Sequence, residues 1–318
     1  PDPAALLTLL AENRDALARA LYGSAWALLG ARLRHAFNAN TRAGARRNIH
    51  AHYDLGNDFY RLWLDPTMSY SSALYAGEAD RPLATAQEAK NRRILAKLQA
   101  RPGQRVLEIG CGWGGLAELA AREGLVVHGI TLSPAQLAYA QARMARAGLG
   151  DRVRLSLTDY RDLAGRYDHI ASVEMFEAVG ERWWPDWFAA VARHLAPGGR
   201  AVAQVIPIRD ALFARYRKGT DFIQQMVFPG GMLPSAAAFT KQAHKAGLEV
   251  REAFAFGRDY ARTLAEWARN FEAAWPQIAR LGFDERFRRL WRFYLAYCEA
   301  GFAAGSTDVV QFELAHAR

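Results

Sequence analysis

Apolar positions in the first fifty residues recur at helical spacing. Leu6, Leu7, Leu10, Leu17 and Leu21 fall near one face, which predicts helix across 1–50. From about 50 to 100 the pattern mixes short helices and loops. It ends in a helix predicted over 84–98, which Arg101-Pro102-Gly103 breaks. The period then changes. Residues 105–109 form a short apolar run, 110–115 are glycine-rich, and 116–122 read as a helix closed by Gly124. A second strand is predicted over 126–131. Ser133 can cap the next helix and Pro134 suits its first position, and that helix stops near Gly148. Runs at 153–157, 169–173 and 201–206 predict three further strands, with a helix over 187–195 before the last. After Ile206 the alternation stops. A segment with Phe222, Met226, Phe228 and Pro229-Gly230-Gly231 reads as an insertion, and 248–256 and 309–314 predict late strands separated by helical sequence over 263–303.

Strand–helix alternation of this kind predicts an α/β fold, a doubly wound parallel sheet covered on both faces. The predicted division is a helical N-terminal region over 1–85 and an α/β domain over 86–318, with helical insertions at about 207–240 and 260–303. With 51% hydrophobic residues in 318, the core needs neither disulfides nor a metal. Cys111 and Cys298 form no framework and fit a reducing cytoplasm. No apolar run reaches the roughly 18 residues of a spanning helix, and no secretory pattern is visible, although a chain starting at Pro1 leaves a trimmed start open. His50 and His52 stand two apart beside Asp54, whereas paired metal ligands on a helix stand three or four apart, so no metal is expected.

The charge changes the picture. A net +9, with only five lysines, concentrates in Arg32, Arg34, Arg42, Arg46 and Arg47, near His35, and again in Arg286, Arg288, Arg289 and Arg292, interleaved with Phe287, Trp291 and Phe293. Two readings stay open: a solvated face over packed aromatics, or a footprint on an anionic membrane surface. Nucleic acid is not expected, because zinc spacing, an RNA-recognition aromatic motif and an appended basic domain are all missing from the sequence.

The sharpest chemical signal is Glu108-Ile109-Gly110-Cys111-Gly112-Trp113-Gly114, placed after a strand and opening a helix. Dinucleotide sites use similar spacing. Two details argue against one. Glu108 would repel a pyrophosphate and welcome a cationic amino group, and Thr131 stands where a ribose-binding acid is expected about 20 residues on. The segment Leu195-Ala196-Pro197-Gly198-Gly199 resembles the turn before the fifth strand of class I methyltransferases. The expected cofactor is S-adenosylmethionine.

Several segments, in order, resemble the cyclopropane fatty acid synthase family: Tyr53-Asp54-Leu55-Gly56-Asn57, Leu64-Asp65-Pro66-Thr67-Met68-Ser69-Tyr70-Ser71-Ser72, the glycine turn, Thr131-Leu132-Ser133, Met175-Phe176-Glu177-Ala178-Val179-Gly180, Phe228-Pro229-Gly230-Gly231 and Asp259-Tyr260-Ala261-Arg262-Thr263-Leu264. The match runs from about residue 50 to the end and leaves 1–45 unmatched. The resemblance implies transfer of a methyl(ene) group from S-adenosylmethionine to a cis double bond of an unsaturated acyl chain in membrane phospholipid, closing a cyclopropane ring through a carbocation. It implies a class I Rossmann-like fold in a cytoplasmic protein held on the inner face of the membrane. The unmatched N-terminal helices are candidates for a homodimer contact or for lying on the bilayer.

Carried over by position, Tyr53, Tyr70, Ser71, Glu108, Gly110, Cys111, Gly112, Trp113, Gly114, Thr131, Leu132, Ser133, Gln136, Asp159 and Tyr160 line the cofactor. In the family a bound bicarbonate, set among a glutamate, a tyrosine, a histidine and a cysteine, collects the released proton. Glu177 and Tyr260 match the first two, while Ser72 and Gln204 stand where many members carry cysteine and histidine. Both replacements keep a donor, but Gln204 cannot titrate. Ser172-Val173-Glu174-Met175 with Gln204 resembles the plant-type branch. Cys298 matches a C-terminal family cysteine, although the chemistry needs no covalent intermediate. The resemblance predicts that Glu177→Gln abolishes turnover and spares cofactor binding. Tyr70, Phe176, Phe228 and Tyr260 are either cation-stabilising faces or core. Three alternatives stand beside this reading: a methylene- or methyl-branched product, a small-molecule O- or N-methyltransferase on the same fold, and a non-enzymatic lipid- or nucleic-acid-binding protein.

Overall fold

The computed structural model describes residues 2–14 and 55–317. Tyr53, His50, His52, Asp54, Leu17, Leu21 and the arginines between 32 and 47 lie outside the described residues.

The sheet follows from five short apolar runs. β1 (Arg105–Ile109), β2 (Val126–Thr131), β3 (Val153–Leu157), β4 (Tyr167–Val173) and β5 (Leu195–Val205) pair in parallel. Two late strands, β6 (Leu248–Ala255) and β7 (Val310–His316), add an antiparallel edge, and the order is β3-β2-β1-β4-β5-β7-β6. Successive side chains face opposite sides of a strand, and the two faces are covered by different helices. Leu107, Ile170, Ala201 and Ala203 bury against Trp187 and Phe188 of α6 (Trp184–His194) and Phe239 of α9 (Ala236–Lys245). Val106, Ala171 and Val202 bury against Ile94 and Leu98 of α3 (Leu83–Leu98) and Leu116 of α4 (Gly115–Arg122).

The segment 195–199 departs from the expected pre-strand turn. Leu195 already pairs with Tyr167, and the register shifts before His169 meets Arg200, so these residues form an irregular start to β5. A Cβ at Gly199 would stand 2.2 Å from the Asp168 carbonyl oxygen, which is why the strand can pass there. The helical sequence predicted over 263–303 forms two helices, α10 (Gly257–Arg280) and α11 (Glu285–Ala303), divided where Gly282 takes φ +97°. Within the insertion lie α7 (Asp210–Tyr216) and α8 (Phe222–Met226). α5 (Pro134–Arg146) is capped by Ser133, as its sequence predicts.

Aromatic rings make up half of the buried residues in a third core. Phe59, Tyr60 and Trp63, on and just after α2 (Asn57–Arg61), pack with Trp267 and Phe271 of α10 and Trp291 of α11. Phe59 alone meets Trp63, Phe271 and Trp291 at centroid distances of 5.8, 6.4 and 5.2 Å. Rings of this size contribute about 1.5–3 kcal/mol each on burial, so this cluster fixes the helical layer over the sheet's carboxyl edge. α1 (Pro3–Glu12) lies against α11, and Arg14 donates to Ser306 Oγ at 3.0 Å.

Candidate active site

Strand order reverses between β1 and β4, and a crevice opens beyond their carboxyl ends, where such sheets bind ligands. The glycine turn stands there. Gly110 takes φ +85°, and a Cβ on it would meet Met175 Cγ at 2.9 Å. Gly114 serves packing, since a Cβ would lie 3.2 Å from Ala140 Cβ on α5. Glu108, next to last in β1, is almost fully buried, and its Oε2 has no partner among the described residues. Burial raises its carboxyl to about 8, against the pull of Lys90 and Arg143. Lys90 is also buried, which lowers its ammonium to about 8, and Nζ donates to Ser71 Oγ at 2.7 Å. An orphaned buried carboxyl beside bare backbone fits a ligand that brings its own ammonium group.

Next along the crevice, Thr131 Oγ1 donates to Gln136 Oε1 at 3.1 Å, which leaves the Gln136 amide hydrogens as donors. Asp159 accepts from Arg161 through Nε and Nη2 at 2.9 and 2.6 Å. Trp113 Nε1 donates to Asn57 Oδ1 at 2.8 Å, and the Tyr70 and Tyr294 hydroxyls share a 2.7 Å bond.

Of the four groups expected around an anion, three converge on a side chain that had no assigned role. Glu174 Oε1 accepts from Ser72 N at 2.8 Å and Gln204 Nε2 at 2.7 Å, and Oε2 accepts from Tyr260 OH at 2.7 Å. The Ser72 hydroxyl turns away, donating to Ala73 O. The fourth group, Glu177, is bonded instead by Ile206 N, and its Oε2 has no partner among the described residues. Burial, followed by the charge of Glu174, raises the Glu177 carboxyl to about 8. Burial also raises Glu174, while the bonds from Tyr260, Ser72 and Gln204 and the charge of Lys90 pull it down. Three donated hydrogen bonds favour the ionised form of Glu174, whereas Glu177 receives one backbone donor and keeps an unpartnered oxygen. The signal available in the sequence was an acidic residue closing a buried strand together with Gln204.

One cavity of about 710 Å³ joins these features. All the expected cofactor residues border it except Gly114 and Ser133, which shape the turn and the α5 cap behind it, and Tyr53, outside the described residues. Glu174, Glu177, Tyr260 and Cys298 border it too, whereas Ser72 and Gln204 stand behind Glu174. Phe228, Leu264 and Tyr294, and Leu7 and Ala11 of α1, line the same cavity. Phe176 is not part of its wall. It packs in the core between Trp184, Trp187, Phe188 and Phe239, so among the cation-stabilising candidates it is core. Burial pushes the Cys298 thiol up. Among the described residues no group of three His, Cys, Asp or Glu side chains is placed to hold a metal ion, and no helix is long and apolar enough to cross a membrane.

Comparison with known proteins places this geometry in context. Residues 40–312 match the family model described as mycolic acid cyclopropane synthetase. Over 282 residues the chain is 43% identical to the tuberculostearic acid methyltransferase UfaA1 of Mycobacterium tuberculosis, covering 86% of this chain and 66% of that protein. Over 290 residues it is 41% identical to the cyclopropane-fatty-acyl-phospholipid synthase of Escherichia coli K12, covering 89% and 71%. It therefore spans about two thirds of the length of these curated relatives. The solved structure of mycolic acid cyclopropane synthase CmaA1 complexed with SAH and CTAB aligns with a TM-score of 0.79 at 32% identity, over 85% of this chain and 97% of that one. Coclaurine N-methyltransferase, at 18% identity and a TM-score of 0.73, shares the fold alone.

Proposed function

The chain belongs to the mycolic acid cyclopropane synthetase family of S-adenosylmethionine-dependent methyltransferases, and from that premise we propose that it alkylates a cis double bond of an unsaturated phospholipid acyl chain, closing a cyclopropane ring. The observation that carries this reading is one cavity lined together by the glycine turn, a buried carboxyl pair and aromatic and aliphatic side chains. An amine or phenol substrate would have no use for the apolar extension.

S-adenosylmethionine, when bound, supplies an electrophilic sulfonium methyl. Glu108 takes its ammonium group, and Thr131, Gln136 and Asp159 stand on the side expected for ribose and adenine. The apolar wall excludes water and holds the alkene against the donor, a positioning effect worth up to about 7–11 kcal/mol in favourable cases. The faces of Tyr70, Phe228 and Tyr260 border the space where the cation forms, each able to contribute about 0.5–2 kcal/mol. Arg14, Arg215 and Lys218 border the same cavity, which suits an anionic headgroup at its mouth. Exposed Met226 and Phe293, joined through the Phe222–Phe293 ring contact, add an apolar edge that supports peripheral association with an anionic bilayer. The bicarbonate implied by the family does not fit these residues. The donors it would need, Tyr260 OH, Ser72 N and Gln204 Nε2, are already taken by Glu174.

Labelled S-adenosylmethionine incubated with vesicles of cis-unsaturated phospholipid is expected to label the lipid, with upfield ring protons by NMR. Methylation of a soluble amine or phenol with untouched vesicles would overturn the proposal. The similarity to a tuberculostearic acid methyltransferase favours a second reading, a methylene- or methyl-branched product. The same NMR spectrum separates them, whereas mass alone does not separate ring from methylene.

A further inference from the structure

We infer that Glu174 is the catalytic base: its carboxylate occupies the cradle of Tyr260, Ser72 and Gln204 and takes the proton itself, so this enzyme needs no dissolved anion. The inference rests on the lipid-methylation reading above.

Geometry supports it in three independent ways. First, the donors are aimed at this side chain and held there. Gln204 Oε1 accepts from Gln311 Nε2 at 2.9 Å, and Gln311 Oε1 accepts from Arg93 Nη1 at 2.7 Å. That chain leaves the Gln204 amide only its donor end to present to Glu174. Second, Glu174 sits at φ +48°, a left-handed conformation that favours glycine and costs another residue about 1–2 kcal/mol. Non-glycine residues in such strain gather at functional sites. Here the strain swings the carboxylate off the end of β4 into the cradle. Third, a carboxylate offers about four acceptor positions, three are filled, and Glu174 borders the cavity. The remaining position is free for a proton from the substrate.

The step balances within the groups named. After methyl addition, a C–H bond of the transferred carbon breaks. Its electron pair forms the closing C–C bond with the cationic carbon, and the proton lands on Glu174. Tyr260, Ser72 and Gln204 keep that carboxylate aligned, and the proton passes to water when the product leaves.

The experiment compares wild type, Glu174→Gln and Glu174→Gly on cis-unsaturated vesicles in carbonate-free buffer, then with added bicarbonate or formate. Wild type is expected to turn over equally in all three. Glu174→Gln is expected to lose about 100-fold or more, the usual weight of a general base, with S-adenosylmethionine affinity unchanged by calorimetry. Glu174→Gly, whose backbone is at ease at this φ, is expected to bind bicarbonate by calorimetry and to regain turnover with bicarbonate or formate. Wild-type turnover that requires bicarbonate, bicarbonate binding by wild type, or full activity in Glu174→Gln would overturn the inference. A wild type that labels no vesicle under any condition would instead sink the lipid-methylation reading, and the calorimetric arm would still decide what fills the cradle.

Discussion

The two ends of the cavity are built from different materials. At the glycine-turn end the wall is backbone at the carboxyl ends of β1, β2 and β4, with glycines at positive φ and a few buried polar side chains. At the far end the wall is side chain: rings and aliphatic groups carried by α10, α11, the 207–235 insertion and α1. The sheet register fixes the first end to within the tolerance of strand pairing. The second is fixed only by how the rings pack. On the reading proposed above, a donor that must be presented in one orientation would meet the rigid end, and a hydrocarbon that needs only dryness and room would meet the packed end. The carboxyl pair lies at the join.

The sharpest way to break this comparison is Gly110→Ala. An alanine at φ +85° is strained by about 1–2 kcal/mol, and its Cβ would press on Met175 at 2.9 Å, in the stem of that side chain and not at its flexible tip. We expect a loss of stability of about 2–4 kcal/mol in total and, as the turn relaxes, loss of S-adenosylmethionine binding. Thermal melting and calorimetry check the two effects. Retained affinity would mean that the cofactor does not rest on this turn.

The rigid end is also the legible one. Short apolar runs between glycine and proline breaks read directly as parallel strands, and β1, β2 and β3 have the bounds that the sequence predicts. Glu108 was legible because a carboxylate before a glycine turn is chemically odd. Glu174 was not, because an acid closing a strand looks like any surface acid, and neither its positive φ nor the convergence of Ser72, Gln204 and Tyr260 is written in local sequence. The pairing of Leu195 was hidden by a proline–glycine segment that usually marks a turn. The break between α10 and α11 lies at Gly282, with Asp284 capping α11, inside a long helical pattern. Aromatic faces are ambiguous for a similar reason: Phe176 and Phe228 look alike in sequence, and only packing sends one to the core and the other to the cavity.

An intermediate effect sharpens the join between the two ends. Glu177 and Glu108 titrate near 4.5 in an unfolded chain, and burial raises each to about 8 in the folded one. Between these values the folded state keeps protons that the unfolded state has released. Stability therefore falls as pH rises through this window, by up to about 1.4 kcal/mol per pH unit for each group. Lys90, lowered from 10.5 to about 8 by burial, acts oppositely and only above that window. The melting temperature of the ligand-free protein is thus expected to decline between about pH 5 and about pH 8. Glu177→Gln should make that slope shallower without weakening S-adenosylmethionine binding, because Glu177 lies outside the glycine turn. Where the family resemblance predicts complete loss of turnover, the geometry predicts partial loss, smaller than for Glu174→Gln, since a glutamine imitates the protonated acid. An unchanged pH slope would show that Glu177 is already ionised in the folded protein.

The smallest expected effect belongs to the packed end. Cys298 borders the cavity from α11, half-buried, and packs against the aromatic core. A nucleophilic cysteine needs a depressed pKa from a cation, a helix N-terminus or a hydrogen-bonded base. Cys298 is well inside a helix, and burial pushes its thiol up, with the charge of Asp221 adding to the rise. It is therefore a neutral apolar filler at working pH. Cys298→Ala removes one buried sulfur, for a stability cost of about 1 kcal/mol, and should leave turnover and cofactor affinity unchanged, as measured by labelled-lipid rates and calorimetry. Loss of turnover in a variant that folds and binds S-adenosylmethionine would move chemistry into the helical wall and erase the division between an end that reacts and an end that only holds.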